Sequence, residues 1–208
     1  MQKIIIFGAT GTVGRHLVSQ ALEAGYQVSA FTRNRQQFTE SHPALQVVEG
    51  DVLQLDQVKQ AIAGHDIVFC TLGAGRKGEV RSKGTENIVR AMEDSDIKRF
   101  ICQSTLGAGD SHETLNFFWK RIMFGWFLKK AFEDHEIQEK HVFSSQLDWT
   151  LVRPAAFTNG PKTGKYRHGS NAQVSGSKLK ISRADVANFM LQQASSKQYL
   201  RRAAGLTY

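Results

Sequence analysis

The chain has little sulfur, no long apolar run and no concentrated basic surface, and each absence removes a class of function. Cys70 and Cys102 are its only two cysteines in 208 residues, each near the end of a predicted strand. They read as reduced thiols acting as small apolar side chains, not as a disulfide framework. The amino-terminal apolar run Ile4–Phe7 is too short for a signal-peptide core, so the expected compartment is the cytoplasm. The uncharged stretch Ile122–Leu128 is too short to cross a bilayer, and the basic pairs Lys120/Arg121 and Lys129/Lys130 around it do not share one helical face. No membrane span is expected. The net charge of +8 is spread over pairs such as Arg33/Arg35, Arg76/Lys77 and Arg201/Arg202. With no basic helix, stacking ladder or zinc-finger spacing, nucleic acid is not an expected partner. A polyanionic cofactor or substrate and ordinary solvated surface account for the charge. Internal repeats, low-complexity tracts and linkers are also lacking, and one domain over residues 1–208 is expected.

What the chain does have is glycine in a telling place. Lys3-Ile4-Ile5-Ile6-Phe7 runs directly into Gly8-Ala9-Thr10-Gly11-Thr12-Val13-Gly14 and then into an amphipathic pattern. An apolar strand feeding three evenly spaced glycines is what a parallel strand needs to turn sharply into a helix whose first N–H groups face a pyrophosphate. Gly8 permits the turn, Gly11 removes a Cβ that would strike phosphate, and Gly14 lets helix approach strand. The pattern predicts a dinucleotide site.

Hydrophobic period then alternates along the chain. Strands are predicted at Lys3–Phe7, Gln27–Phe31, Leu45–Glu49, Asp66–Thr71, Arg99–Gln103 and Leu147–Val152. Helices are predicted at Thr12–Ala24, Leu53–Ala63, Arg81–Glu93 and Phe132–Ser145. Pro161–Ser177 reads as a loop or small hairpin bordering a cleft, and Ile181–Ala187 as the start of a helix with Ser182 as cap and Asp185 in its first turn. Strands separated by helices of this length pair in parallel through right-handed crossovers. The expected fold is α/β, a single doubly wound, mostly parallel, Rossmann-like sheet with helices on both faces. Ligands of such sheets bind beyond the carboxyl ends of the strands.

Each strand end offers something. After the second strand comes Thr32-Arg33-Asn34-Arg35 instead of the acidic residue that accepts from an NAD ribose, so NADP(H) is favoured over NAD(H), with Arg33 on the 2′-phosphate and Arg35 a second candidate. Arg33 stacked on adenine or left in solvent is the bland alternative. Asp51 either accepts from the adenine amino group, with Val52 packed on the ring, or caps the helix that follows. Leu72-Gly73-Ala74-Gly75 offers a second glycine turn, suited to close passage of ribose and nicotinamide. Ser104 and Thr105 put hydroxyls beside the expected nicotinamide, either to donate to an oxygen of the hydride acceptor or to satisfy backbone groups at the strand end. The aromatic segment from Phe117 to Phe132 either walls or lids the acceptor pocket, expected from residues 104–135 and 153–180, or covers a sheet edge or dimer contact.

Taken together, the glycine turn, Gly50-Asp51-Val52, Ser104–Gly107, Leu147–Pro154 and Ile181–Ala187 resemble an atypical short-chain dehydrogenase/reductase of the NAD(P)H-binding type, similar to the flavin reductase/biliverdin IXβ reductase group. The likeness covers nearly the whole chain. It implies that Thr10, Gly11, Thr12 and Val13 hold pyrophosphate, Arg33 the 2′-phosphate, and Asp51 and Val52 the adenine, while Leu72, Gly73, Ser104, Pro154 and Phe157 surround the nicotinamide half. One departure decides the chemistry. Where the wider family carries a tyrosine four residues before a lysine, Glu136 precedes Lys140, and Tyr26, Tyr166, Tyr199 and Tyr208 all lie elsewhere. That pair reads as a surface ion pair before it reads as catalytic, and alcohol–ketone chemistry through it is disfavoured. His135 beside it is a further candidate proton donor. The expectation is an NADPH-dependent reductase, monomer or weak homodimer, of a flat conjugated acceptor such as a flavin, quinone or linear tetrapyrrole, whose hydride uptake needs stacking more than acid catalysis. The alternatives are a non-catalytic NADP(H)-binding redox sensor, and a sugar-nucleotide or ketone-modifying enzyme with another proton donor.

Overall fold

The computed structural model describes residues 1–38, 41–73, 79–109, 129–169 and 179–208. Strand β1 (Lys3–Phe7) is buried on both faces, Ile4 and Ile6 entering one apolar layer and Ile5 and Phe7 the other. Side-chain alternation in a covered parallel strand produces this division. β1 pairs in parallel with β2 (Gln27–Thr32) on one side and β4 (Ile67–Cys70) on the other. β3 (Leu45–Glu49) extends the sheet beyond β2, and β5 (Arg99–Gln103) and β6 (Asp148–Pro154) extend it beyond β4. β10 (Arg202–Thr207) adds in parallel to β6, and β8 (Arg167–Gly169) closes that edge antiparallel to β10. The order β3-β2-β1-β4-β5-β6-β10-β8 reverses direction between β1 and β4, the point where doubly wound sheets open a crevice.

Helices α1 (Gly14–Glu23) and α5 (Arg183–Gln192) cover the face that holds Ile4 and Ile6. Helices α2 (Leu55–Ile62) and α3 (Val80–Glu93) cover the other, joined by α4 (Lys129–Ser144) through Val142. Cys70 and Cys102 are register neighbours on β4 and β5, both buried with free thiols, as the composition predicts. Among the described residues no helix is long and apolar enough to cross a membrane.

The expected elements are present with shifted ends. α1 starts at Gly14, two residues later than predicted, because Thr10–Val13 stay in the turn. α2 starts at Leu55 with Gln54 at its N-cap, while the Asp51 carboxylate accepts from the Leu53 N–H at 3.0 Å. Asp51 thus closes the turn before the helix and does not cap the helix itself. β6 runs on through Pro154, whose carbonyl accepts from the Leu106 N–H at 2.9 Å although the ring has no proton to donate. The short strands β7 (Ala156–Thr158) and β9 (Lys180–Ser182), paired in parallel, and β8 and β10 escape the sequence pattern, being three to six residues long. The aromatic run Phe117–Leu128 and residues 170–178 of the cleft-bordering loop lie outside the described residues.

One buried carboxylate fastens the carboxyl-terminal third. Asp185, in the first turn of α5 behind its N-cap Ser182, accepts from the Thr163 and Gly164 N–H groups at 2.8 and 2.9 Å, from the Thr163 hydroxyl at 2.8 Å and from the Tyr208 hydroxyl at 2.7 Å. Burial alone would raise this carboxyl, but the bonds from Gly164, Tyr208 and Thr163 outweigh it and hold its pKa below the usual carboxylate value. A depressed folded-state pKa stabilises the fold above the unfolded value and loses that stabilisation as pH falls through the folded one. Asp185→Asn should therefore cost about 1–3 kcal/mol near neutral pH, with the gap from wild type closing below about pH 4, as read by urea unfolding at both pH values.

Candidate functional site

The ends of β1, β2, β4 and β5 open into one cleft of about 490 Å³ that contains Gly8, Arg33, Leu72 and Ser104. Its floor is the glycine turn. Gly8 has φ of +82°, and a Cβ there would lie 2.6 Å from the Thr71 carbonyl oxygen. At Gly14 a Cβ would lie 2.2 Å from the carbonyl oxygen of Gly8. Both positions therefore exclude any larger residue without moving backbone. Thr71 locks the arrangement by donating its hydroxyl to the Phe7 and Gly8 carbonyls at 3.1 and 3.2 Å. The Gly11 N–H is spent on Gly8 at 2.9 Å, whereas the N–H groups of Thr12 and Val13 meet no acceptor among the described residues, and both residues line the cleft. Unpaired amides before the first turn of a helix form a ready anion cradle, so these residues fit a dinucleotide diphosphate. Arg15 braces the cradle, donating to the Thr10 and Gln37 carbonyls at 3.1 and 2.9 Å and lying 5.9 Å from the Phe38 ring centre.

Beside the cradle, Arg33 is exposed and lines the cleft; Arg35, in a single 3-10 turn, is exposed and does not. Val52 is buried against the cleft, with Phe31 tilted onto Phe7 at 4.7 Å below. Asp51 is not among the lining residues; its N–H donates to the Gln57 side chain at 2.7 Å. Leu72 and Gly73 line the cleft, and Ala74 lies outside the described residues.

The far end is walled by Gln103, Ser104, Thr105, Arg81, His135 and Phe157. Ser104 is buried, and its hydroxyl donates to Glu139 Oε1 at 2.6 Å, with His135 Nδ1 at 3.4 Å. Glu139 is held in turn by Arg153, whose Nε and Nη2 donate to its two oxygens at 2.9 and 2.7 Å, both side chains being 2% exposed. The expected Ser104 hydrogen bond to a substrate oxygen would require this proton to be released from Glu139. The Thr105 hydroxyl makes a long contact, 3.4 Å, to the Leu106 carbonyl. Arg81 reaches back from α3 to Asp134 at 2.9 Å and the Leu72 carbonyl at 3.3 Å, tying the end of β4 to α4. Burial first, and the Arg81 charge second, push the His135 pKa down to about 3 against the opposing influence of Gln138, so the ring is neutral at physiological pH.

Three more sequence candidates fall away from the site. Glu136 and Lys140 are exposed on α4, neither lines the cleft, and no ion pair joins them among the described residues. Pro154 is buried in β6 and does not line the cleft either. Arg81, Asp134, Glu139 and Arg153 were not legible as site residues, because α4 turns a polar face, Asp134, Gln138 and Glu139, into the protein. A search for apolar period passes over such a face. The readable signal was Arg153, a lone cation inside the otherwise uncharged buried run Trp149–Pro154, which demands a buried carboxylate. Among the described residues no group of His, Cys, Asp or Glu could hold a metal.

Known proteins share this fold. A protein-family profile described as NAD(P)H-binding matches residues 8–197. A UPF0659 protein of Saccharomyces cerevisiae is 28% identical over 205 residues, covering 91% of this chain and 86% of its own. An uncharacterized chloroplastic protein of Arabidopsis thaliana is 29% identical over 178 residues, 78% of this chain and 62% of that one. Among solved structures, the anaerobillin reductase ChuY of Escherichia coli superposes with a TM-score of 0.82 at 25% identity, covering 99% of this chain and 97% of its own. A short-chain dehydrogenase/reductase of Veillonella parvula, solved in complex with NADP, has a TM-score of 0.84 at 18% identity, covering 100% of this chain and 94% of its own. The match spans the glycine cradle, both glycine turns and the carboxyl-terminal helix, and on it the chain belongs to the NAD(P)H-binding family.

Proposed function

We propose that this oxidoreductase passes hydride from NADPH to a flat, conjugated, electron-poor small molecule such as a flavin, a quinone or a linear tetrapyrrole. The observation that carries the reading is the make-up of the cleft's far end. It has no tyrosine among its lining residues, the Ser104 proton is committed to Glu139, and His135 is neutral. Among the described residues such a wall offers a surface for a ring but no ready strong acid, which suits an acceptor that delocalises the incoming charge and takes its proton from solvent. When bound, NADPH supplies the hydride. The Thr12 and Val13 amides would hold its diphosphate, Arg33 its 2′-phosphate and Val52 one face of the adenine, with Asp51 near the adenine amino group. Leu72 and Gly73 would run beside the ribose and nicotinamide, and Phe157, 37% exposed, offers the ring on which an acceptor can stack. The anaerobillin reductase among the similar structures supports a tetrapyrrole in particular. A cytoplasmic setting and a monomer or weak homodimer, with no nucleic-acid partner, belong to the same reading, supported by the free buried thiols and the dispersed positive charge.

NADPH oxidation across a panel of flavins, quinones and biliverdin is expected to show turnover with at least one of them. Tight NADPH binding with no turnover on any of the panel would assign the chain as a redox sensor instead. Arg33→Ala should raise the NADPH KM by roughly 10- to 100-fold, the worth of one charge-assisted hydrogen-bonded pair, and leave the NADH KM within about twofold. An equal loss for both nucleotides would remove the 2′-phosphate role from Arg33.

A further inference from the structure

The Arg81 guanidinium walls the far end of the cleft with donors to spare. A guanidinium carries five N–H groups and accepts nothing. Here Nε gives its one to the Leu72 carbonyl at 3.3 Å, and Nη1 gives both of its own, to Asp134 at 2.9 Å and to the Ala131 carbonyl at 3.4 Å. The pair on Nη2 meets no acceptor among the described residues. Yet Nη2 is not sealed in, as the unpaired Gln103 Oε1 and Arg183 Nε are. It shares an edge of the planar fork with Nε, the edge turned to the Leu72 carbonyl, and Leu72 and Arg81 both line the cleft. The Arg81 side chain is otherwise enclosed, at 8% exposure, so the open space that Nη2 reaches is the cleft. Its charge is felt on the same wall at His135, where it helps to keep the ring neutral.

A cation so placed bears directly on hydride transfer. As hydride leaves C4 of the reduced nicotinamide with both electrons of its C–H bond, the ring it departs gains positive charge. A nearby guanidinium opposes that step unless negative charge grows closer to it. On a conjugated acceptor the incoming pair makes a bond at carbon or nitrogen and displaces a π pair onto a carbonyl oxygen, which a solvent proton later neutralises. We infer that Arg81 Nη2 donates to this oxygen and is the electrophilic catalytic residue of the reaction, doing with charge and a hydrogen bond what a proton donor would do elsewhere. The inference rests on the reductase reading above and deepens it: the acceptor carries an oxygen in conjugation with the atom that takes the hydride. Asp134, 2% exposed, is a positioning residue that occupies Nη1 and leaves Nη2 for the substrate.

Arg81→Lys tests this in the full chain, because an ammonium keeps the charge and has just enough donors for Asp134 and the two carbonyls. With whichever flavin, quinone or biliverdin the wild type reduces fastest, the variant should lose roughly 100-fold in kcat and hold its NADPH Kd within about twofold. A second readout needs no turnover: 4-nitrophenol, whose coloured phenolate stands in for the anionic oxygen, is titrated into NADP+-loaded protein above and below its own ionisation. Arg81→Lys should weaken phenolate binding roughly tenfold and leave binding of the neutral phenol nearly unchanged. Should Arg81→Lys fail to fold, Arg81→Met/Asp134→Leu, which strands no charge, carries the same expectations. A kcat near wild type overturns the inference and leaves the reductase reading standing. A fall in kcat matched by losses in NADPH affinity and melting temperature makes Arg81 a structural residue and overturns it too. So does an equal loss of phenolate and phenol binding, or a wild type that binds no phenolate. A phenolate preference that depends on Arg81, in a protein that turns over none of the acceptors, sinks the reductase reading and the catalytic role with it.

Discussion

A central parallel strand buried on both faces has one exit. β1 carries apolar side chains into two separate layers and is hydrogen-bonded along both edges, so its chain can leave only beyond its carboxyl end, at the place where the sheet order reverses. A left-handed residue must stand there, and the next helix must start almost in contact with the strand it follows. Gly8 and Gly14 meet those two demands because each has backbone where a Cβ would be. The cradle of amides results from this departure and needs no charged residue of its own. Its rigidity comes from neighbours: Thr71 grips the turn from β4 and Arg15 from its own helix.

The opposite end of the cleft is built on a different principle. Here the structure buries ionic groups, Arg153 with Glu139 and Arg81 with Asp134, at exposures of a few per cent. Buried pairs of this kind contribute little net stability compared with apolar packing, while losing one member costs several kcal/mol because the other charge is stranded. Their presence is better understood as orientation. Arg81 joins α3 to α4 and to the segment that leaves β4 at Leu72, and Glu139 joins α4 to β6 and to the end of β5. This wall of the cleft is thereby held from three directions at once.

The sequence made the first half of the site readable because its rules are local. Apolar runs mark strands on any chain, and a glycine at a strand end has few meanings; the strands at Lys3–Phe7, Leu45–Glu49 and Arg99–Gln103 are where period alone puts them. The second half was hidden because its rules are relational. Glu139 is an ordinary surface-type residue on an ordinary-looking helix until Arg153 arrives beside it from fourteen residues away, and Ser104 meets the same carboxylate across thirty-five. Reading the four-residue spacing of Glu136 and Lys140 drew attention to the exposed side of α4, which does not line the cleft. Short strands failed for a third reason: β10, Arg-Ala-Ala-Gly-Leu-Thr, has little β-branched character and is recruited by the edge of β6, not by its own preference.

That recruitment matters for how the sheet closes. β10 sits inside the sheet, between β6 and β8, with Arg202 opposite Thr150 of β6, and Tyr208 just after it reaches the carboxylate that fastens the loop at Thr163. Contacts between residues so far apart along the chain carry a large loop-closure cost and reward it only once made. The glycine turn joins β1 to the helix directly after it and needs no such closure, so the two ends of the cleft differ in how far along the chain their supports lie.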